Sequence, residues 1–145
     1  MIFALVIIHI QVHYQLHFTL NNLLRKGKIM GYTNYYTQNE EIAQDKWNNI
    51  LKEYKYLQKV MKEVITDVSE SKDEIAFNGV GNDSHETFIL TRKLPKGEDP
   101  FHFCKTRFKP YDIAVWHMLT FVYWQHGTPP AKDPFSIGRD GWEYE

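Results

Sequence analysis

The chain has 145 residues, 17 Lys+Arg against 18 Asp+Glu for a net charge of -1, 43% hydrophobic and 15% aromatic content, and one cysteine. That length suits one domain with a single modest core, and that apolar content suits a packed globule rather than a disordered chain. The near-zero charge supplies no overall field to recruit nucleic acid or an anionic membrane, and a lone Cys104 rules out an internal disulfide and a Cys-based zinc finger.

Residues 1–29 read as a leader to a single α+β domain over residues 30–145. MIFALVII is too short to span a bilayer, which takes about 20 apolar residues, and it lacks the basic region and cleavage site of a signal peptide. From Ile8 to Leu20, apolar residues alternate strictly with His9, Gln11, His13, Gln15, His17 and Thr19, the pattern of an amphipathic strand. His9, His13 and His17 have the i, i+4, i+8 spacing that could ligate a metal if helical, but the alternation favours a strand and no acidic or Cys partner lies near, so no metal site is assigned. A rival reading takes Met30 as the true start, because codons for Arg25-Lys-Gly-Lys can be rich in A and G, as a ribosome-binding site is. The leader is then either a misassigned start or an extra strand.

Gly31–Thr37 is aromatic and β-branched, and reads as a strand. Thr37 or Asn39 can cap the next element, and apolar residues from Ile42 to Ile65 recur at three- and four-residue spacing. The spacing predicts a long amphipathic helix from about Asn39 to Thr66, with a cationic solvated face. Strands are expected at Glu74–Gly79, Glu86–Arg92 and Phe101–Arg107, separated by turns rich in Gly, Asn, Asp and Pro. Pro110 opens a helix to about Gln125 that is apolar over most of its circumference and should be the buried one, ending at Gly127. Thr128–Asp133 is a Pro-rich linker, Phe135–Ile137 a last strand, and Asp140-Gly141 a tight turn before Trp142. The expected architecture is a small antiparallel sheet packed on one long amphipathic helix and one buried helix.

Pairing Phe77 with Phe88 and Phe88 with Phe103 stacks Ile75, Leu90 and Phe101 in one row and the three phenylalanines in the next. A slip of one residue would turn the aromatics outward, so one register is favoured. Gly79, Glu86 and Lys105 then sit at the end of the apolar face, where Glu86 and Lys105 can form a partly desolvated ion pair. The opposite face carries Asn78, His85, Thr87, His102, Cys104 and Thr106, and reads as open to solvent. Asp112 can meet the N-terminal dipole of its helix, and Tyr111 can point its hydroxyl to the same corner. The candidate ligand-binding residues are therefore Asn78, Gly79, His85, Glu86, Lys105, Arg107, Tyr111 and Asp112.

Recognised chemical motifs are weak here. Gly79-Val-Gly81 suggests a phosphate-cradling turn, but flanking strands make an ordinary turn the better reading. Lys105, Arg107 and Lys109 nearby would favour an anion. Cys104 lacks a thiol-protease signature, and His85 and Glu86 point to opposite faces of a strand, so they cannot share a metal. Neither a metal nor a cofactor is assigned.

From Met30 onward the chain resembles a family of small, uncharacterised phage and bacterial proteins. These begin MGYTHYW and carry FNG…HETF and FCKT…KPYD. The matching pieces are Met30–Tyr36, Phe77-Asn-Gly79, His85–Phe88, Phe103–Thr106 and Lys109–Asp112. Ile137–Gly141 resembles the family's terminal S-D-G motif with Arg139 in place of Ser, while Asn34 and Tyr36 stand where the family shows His and Trp. The resemblance implies a phage or mobile-element origin and favours Met30 as the start, while the lone cysteine suits a reducing, cytosolic setting, taken as the host cell's cytoplasm. If the family's His is catalytic, this member is inactive or purely a binder.

Three functions follow as expectations. The first is a non-enzymatic binder that uses the polar corner to hold a small anionic, nucleotide-like ligand or a host protein. The second is a metal-independent hydrolase or transferase, with Glu86 or His85 as base and Lys105 stabilising an anion. In the third the corner is only a salt-bridged seam. The composition argues against nucleic acid and membrane partners, and leaves oligomeric state open.

Overall fold

Six strands and two helices make up the regular structure of the described residues, 32–94, 96–126 and 134–140 of a computed structural model. In chain order they are β1 (Thr33–Gln38), α1 (Gln44–Val60), β2 (Ile65–Asp67), β3 (Glu74–Gly79), β4 (Phe88–Thr91), β5 (Phe101–Lys105), α2 (Asp112–His126) and β6 (Phe135–Arg139). A 3-10 turn at Gly81–Asp83 joins β3 to β4, so the Gly79–Gly81 stretch is a strand-to-strand turn. The fold is α+β. The expectations for residues 1–29, for the Thr128–Asp133 linker and for Gly141 and Trp142 fall outside the described residues.

The strands form two antiparallel sheets of three, ordered β5-β1-β6 and β2-β3-β4, rather than one. In the second sheet Ile75 pairs with Leu90 and Phe77 with Phe88, the expected register, and all four side chains are fully buried. β5 departs from expectation. It pairs with β1, Tyr35 opposite Phe103 and Asn34 opposite Cys104, and it turns Cys104 inward. Phe101 and Phe103 are left 48% and 53% exposed. The expected Phe77–Phe88–Phe103 row is therefore only a pair, and Cys104 and Thr106 are buried rather than solvent-facing. The cause lies in β1. Its inward residues Asn34, Tyr36 and Gln38 need polar and small neighbours, which the His102-Cys104-Thr106 side of β5 supplies.

α1 buries Trp47, Ile50, Tyr54 and Leu57, which recur at three- and four-residue spacing on one face. It is shorter than expected at both ends. It starts at Gln44 with no side-chain cap, and its run stops before Val64-Ile65-Thr66, where branched side chains favour β2. α2 buries Ala114, Val115, Trp116, Met118, Leu119 and Val122 and is the expected interior helix. His117 of α2 and Glu53 of α1, both nearly buried, meet at 2.7 Å and tie the helices together. Both sheets and both helices share one core, in which Tyr36 contacts Phe88 edge-on at 6.2 Å and stacks on Phe135 at 5.4 Å. Further ties between the sheets run through the Tyr36 hydroxyl, which donates to the Ile89 carbonyl, and the Gln38 amide, which donates to the Thr91 carbonyl at 3.1 Å.

Candidate functional site

β3 ends at Asn78-Gly79, and the Asn78 amide organises the turn that follows. Its Oδ1 accepts from the N–H groups of Gly79 (2.7 Å) and His85 (3.0 Å), while Nδ2 donates to the His85 carbonyl (3.0 Å). The turn folds back so closely that a Cβ at Gly79 would lie 2.0 Å from the Asp83 carbonyl oxygen and 2.9 Å from the Tyr111 ring. Only glycine fits there. Lys109 donates to the Asn82 carbonyl at 2.8 Å and holds the same turn from below.

The turn delivers His85 and Glu86 to the free edge of β5. His85 Nδ1 lies 2.7 Å from the Lys105 carbonyl oxygen, which can only accept, so that nitrogen carries a proton. Glu86 Oε2 accepts from the Lys105 N–H at 2.8 Å, and the Glu86 N–H donates to the Lys105 carbonyl at 3.3 Å. The Tyr111 hydroxyl donates to the Glu86 carbonyl at 2.7 Å. The structure therefore brings together Asn78, Gly79, His85, Glu86, Lys105 and Tyr111, as the sequence suggests. Glu86 meets the Lys105 backbone and not its ammonium, which lies instead 5.5 Å from the centre of the Phe103 ring. The expected ion pair fails because Glu86 approaches in the plane of the sheet, whereas the Lys105 side chain projects from its face. The corner is a latch, with side-chain groups completing backbone hydrogen bonds that an open strand edge would leave to water.

Two expected members lie elsewhere. Arg107 is exposed in the turn after β5, where it and Phe108 hold left-handed backbone angles (φ 52° and 57°), a conformation costly for residues with a Cβ. That turn swings the chain so that Asp112 faces the first sheet rather than the corner. Asp112 is 3% exposed and accepts three hydrogen bonds: from Asn34 Nδ2 at 2.7 Å, from Thr106 Oγ1, and from Arg139 at 2.6 Å. The Arg139 guanidinium is sandwiched between the Tyr32 and Trp116 rings, at 4.8 and 4.6 Å. Burial pushes the Tyr32 hydroxyl up to about 12, against the opposing pull of Arg139. Beside the cluster, Asp140 accepts from the Thr33 N–H at 2.9 Å and from the Tyr35 hydroxyl. This buried cluster was missed by sequence reasoning. Its signal was Asn34, a polar residue at an inward position between Tyr32 and Tyr36.

Cys104 is buried and its sulfur lies 3.5 Å from the Glu86 carbonyl. Desolvation, with the Glu86 and Asp112 charges adding to it, pushes the thiol up to about 12 and leaves it un-ionised near neutrality. The cations of Lys105 and Arg107 have no carboxylate partner among the described residues. An open cleft of about 230 Å3 lies at the other end of β5, lined by Gln38, Leu94, Glu98, Asp99 and His102 and by none of the expected site residues. No helix among the described residues is long and apolar enough to cross a membrane. Comparison of the chain with protein-family models, with curated proteins and with solved structures found no match.

Proposed function

We propose that this protein is a non-enzymatic binder that holds a small anionic, nucleotide-like ligand at the exposed cations Lys105 and Arg107, beside the latch. The observation that carries this reading is the fate of the acid–base candidates. Glu86 and His85 are both engaged with the Lys105 backbone, at 2.8 and 2.7 Å, and the Cys104 thiol is held protonated. A general base needs a free lone pair within reach of a substrate proton; His85 Nε2 and Glu86 Oε1 keep theirs, but both side chains are tied into the latch and neither lines the open cleft at the other end of β5. The cations differ: each is exposed and has no carboxylate partner among the described residues, the condition under which an anion gains most from them.

The resemblance to the phage family supports the same reading. Asn34 and Arg139, two positions where the chain departs from that pattern, meet on the Asp112 carboxylate. An amide at position 34 has no usable proton to exchange where the family shows His. A phage-encoded binder of this kind would act by sequestering a host nucleotide.

Thermal-shift titration with nucleoside mono-, di- and triphosphates tests the proposal, because a ligand bound only by the native state raises the melting temperature by mass action. The expected result is a saturable shift that diminishes in the Lys105→Ala/Arg107→Ala double variant, with no turnover of the bound compound. Turnover that disappears in His85→Ala or Glu86→Ala would establish the hydrolase or transferase reading instead.

A further inference from the structure

The outward face of the first sheet is an ordered array. Across it run the rows Lys105–Thr33–Asp140, Phe103–Tyr35–Gly138 and Phe101–Thr37–Ser136. The two phenylalanines are 48% and 53% exposed on the edge strand, with ring centres 6.4 Å apart. Tyr35, on the central strand, stacks against Phe101 at 6.0 Å and 24°. Beyond these rings the face is low: Gly138, Ser136 and Thr37 present little or no side chain, so a flat ring laid on the aromatics meets no wall. A monomer seldom leaves adjoining aromatic faces open without a use for them.

Charge is distributed unevenly around this platform. Along β5, Lys105 follows Phe101 and Phe103 on the outward face, its ammonium 5.5 Å from the Phe103 ring centre, and exposed Arg107 comes two residues on. At the other end lie Glu98 and Asp99 on the rim of the acidic cleft. Two carboxylates lie near Lys105 and both are engaged: Asp140, in the Lys105 row, accepts from the Thr33 N–H and the Tyr35 hydroxyl, and Glu86 accepts from the Lys105 N–H, so the Lys105 ammonium and the Arg107 guanidinium are left to meet an anion. A complementary ligand therefore has a planar ring at its centre and negative charge at one end only. A nucleic-acid strand would carry its phosphates on past Glu98 and Asp99, and a protein of net charge -1 offers no wider field to compensate.

We propose that this face seats a free nucleoside polyphosphate, with its base stacked on Phe103 and Phe101 and its phosphates on Lys105 and Arg107. The proposal rests on the anion-binding reading above and adds to it the ring-binding residues Tyr35, Phe101 and Phe103. The base displaces the Lys105 ammonium from the Phe103 ring, and the ammonium moves onto the phosphates. Stacking tolerates any base, since each presents a π-face, so the four common nucleotides should bind within a narrow range of one another.

Calorimetric titration of the full chain with ATP, GTP, CTP, UTP, inorganic triphosphate and a ten-residue oligothymidylate tests this. Phe103→Ala should weaken nucleoside triphosphates by about 5- to 150-fold, the loss expected for one stacking partner, and leave inorganic triphosphate unchanged. Phe103→Leu, which keeps the apolar surface without the π-face, should weaken them too, and both variants should melt within a few degrees of the parent. Lys105→Ala and Arg107→Ala should weaken nucleotides and inorganic triphosphate alike. Nucleotide affinity within twofold of the parent in both Phe103 variants would overturn the platform while leaving the anion reading standing. Failure of the parent to bind either nucleotide or inorganic triphosphate would remove the anion reading and the platform together. Tighter binding of the oligothymidylate than of any triphosphate would overturn the assignment to a free nucleotide.

Discussion

Asp112 shows how much a single buried charge organises. Its carboxylate holds Asn34, Thr106 and Arg139, three residues from β1, the turn after β5, and β6. Removing one partner of a buried ion pair strands the other charge, at a cost of about 3–5 kcal/mol, whereas the pair as a whole contributes little net stability. Asp112→Asn and Arg139→Met should each fall in that range, and the double variant should lose clearly less than their sum in a denaturant-unfolding cycle. Strict additivity would mean that the two charges are not coupled. His126, at the C-terminus of α2, poses a separate question of protonation. Burial holds its imidazole below the ordinary 6.5, with the Lys46 charge adding to the shift and the Glu40 backbone opposing it. A depressed folded pKa means that the neutral ring is the one the fold accepts. The stability it contributes is therefore complete above the unfolded value and is lost as pH falls through the lower folded one. Melting curves between pH 7.5 and 5 should show a decline that His126→Gln reduces, and equal declines in the two proteins would contradict this.

Among the elements, β4 and β5 present similar Phe-rich alternation and meet opposite fates. Phe88 is fully buried against Phe77 at 5.1 Å, while Phe103 faces solvent. Phe88→Ala should cost about 3–5 kcal/mol as a cavity substitution. Phe103→Ala should change stability by no more than about 0.5 kcal/mol. Chemical denaturation of the two variants checks the contrast, and comparable losses would place Phe103 in the core. The β3–β4 register and the buried character of α2 were legible, because period-two and near-continuous apolar patterns admit one arrangement each. The partner of β5 was not. A strand of five residues with Phe on one side and Cys on the other can pair locally with β4 or distantly with β1, and only the inward polar residues of β1 decide. The latch was legible as a neighbourhood, since Gly79, Glu86 and Lys105 do meet. Its chemistry was not, because a pattern of side chains does not reveal that a carboxylate will meet a backbone N–H instead of an ammonium.

For the whole molecule, two small sheets share one core, and the latch at residues 78–86 fastens the second sheet to the edge of the first. Sealing one stretch of the β5 edge in this way leaves its outward aromatic and cationic side chains fixed and available. On the proposed reading the corner is structural and supports a neighbouring binding face. Glu86→Ala separates the possibilities in one protein, because the carboxylate is the acceptor for the Lys105 N–H and lies outside the proposed ligand contacts. The deciding measurement is the melting temperature of Glu86→Ala and its parent, each with and without saturating ATP. The variant should lose about 0.5–1.5 kcal/mol, the usual net contribution of one exposed hydrogen bond, and keep the parent's ATP-induced shift. A variant that melts like the parent but no longer responds to ATP would contradict the proposed reading and place the ligand in the corner itself.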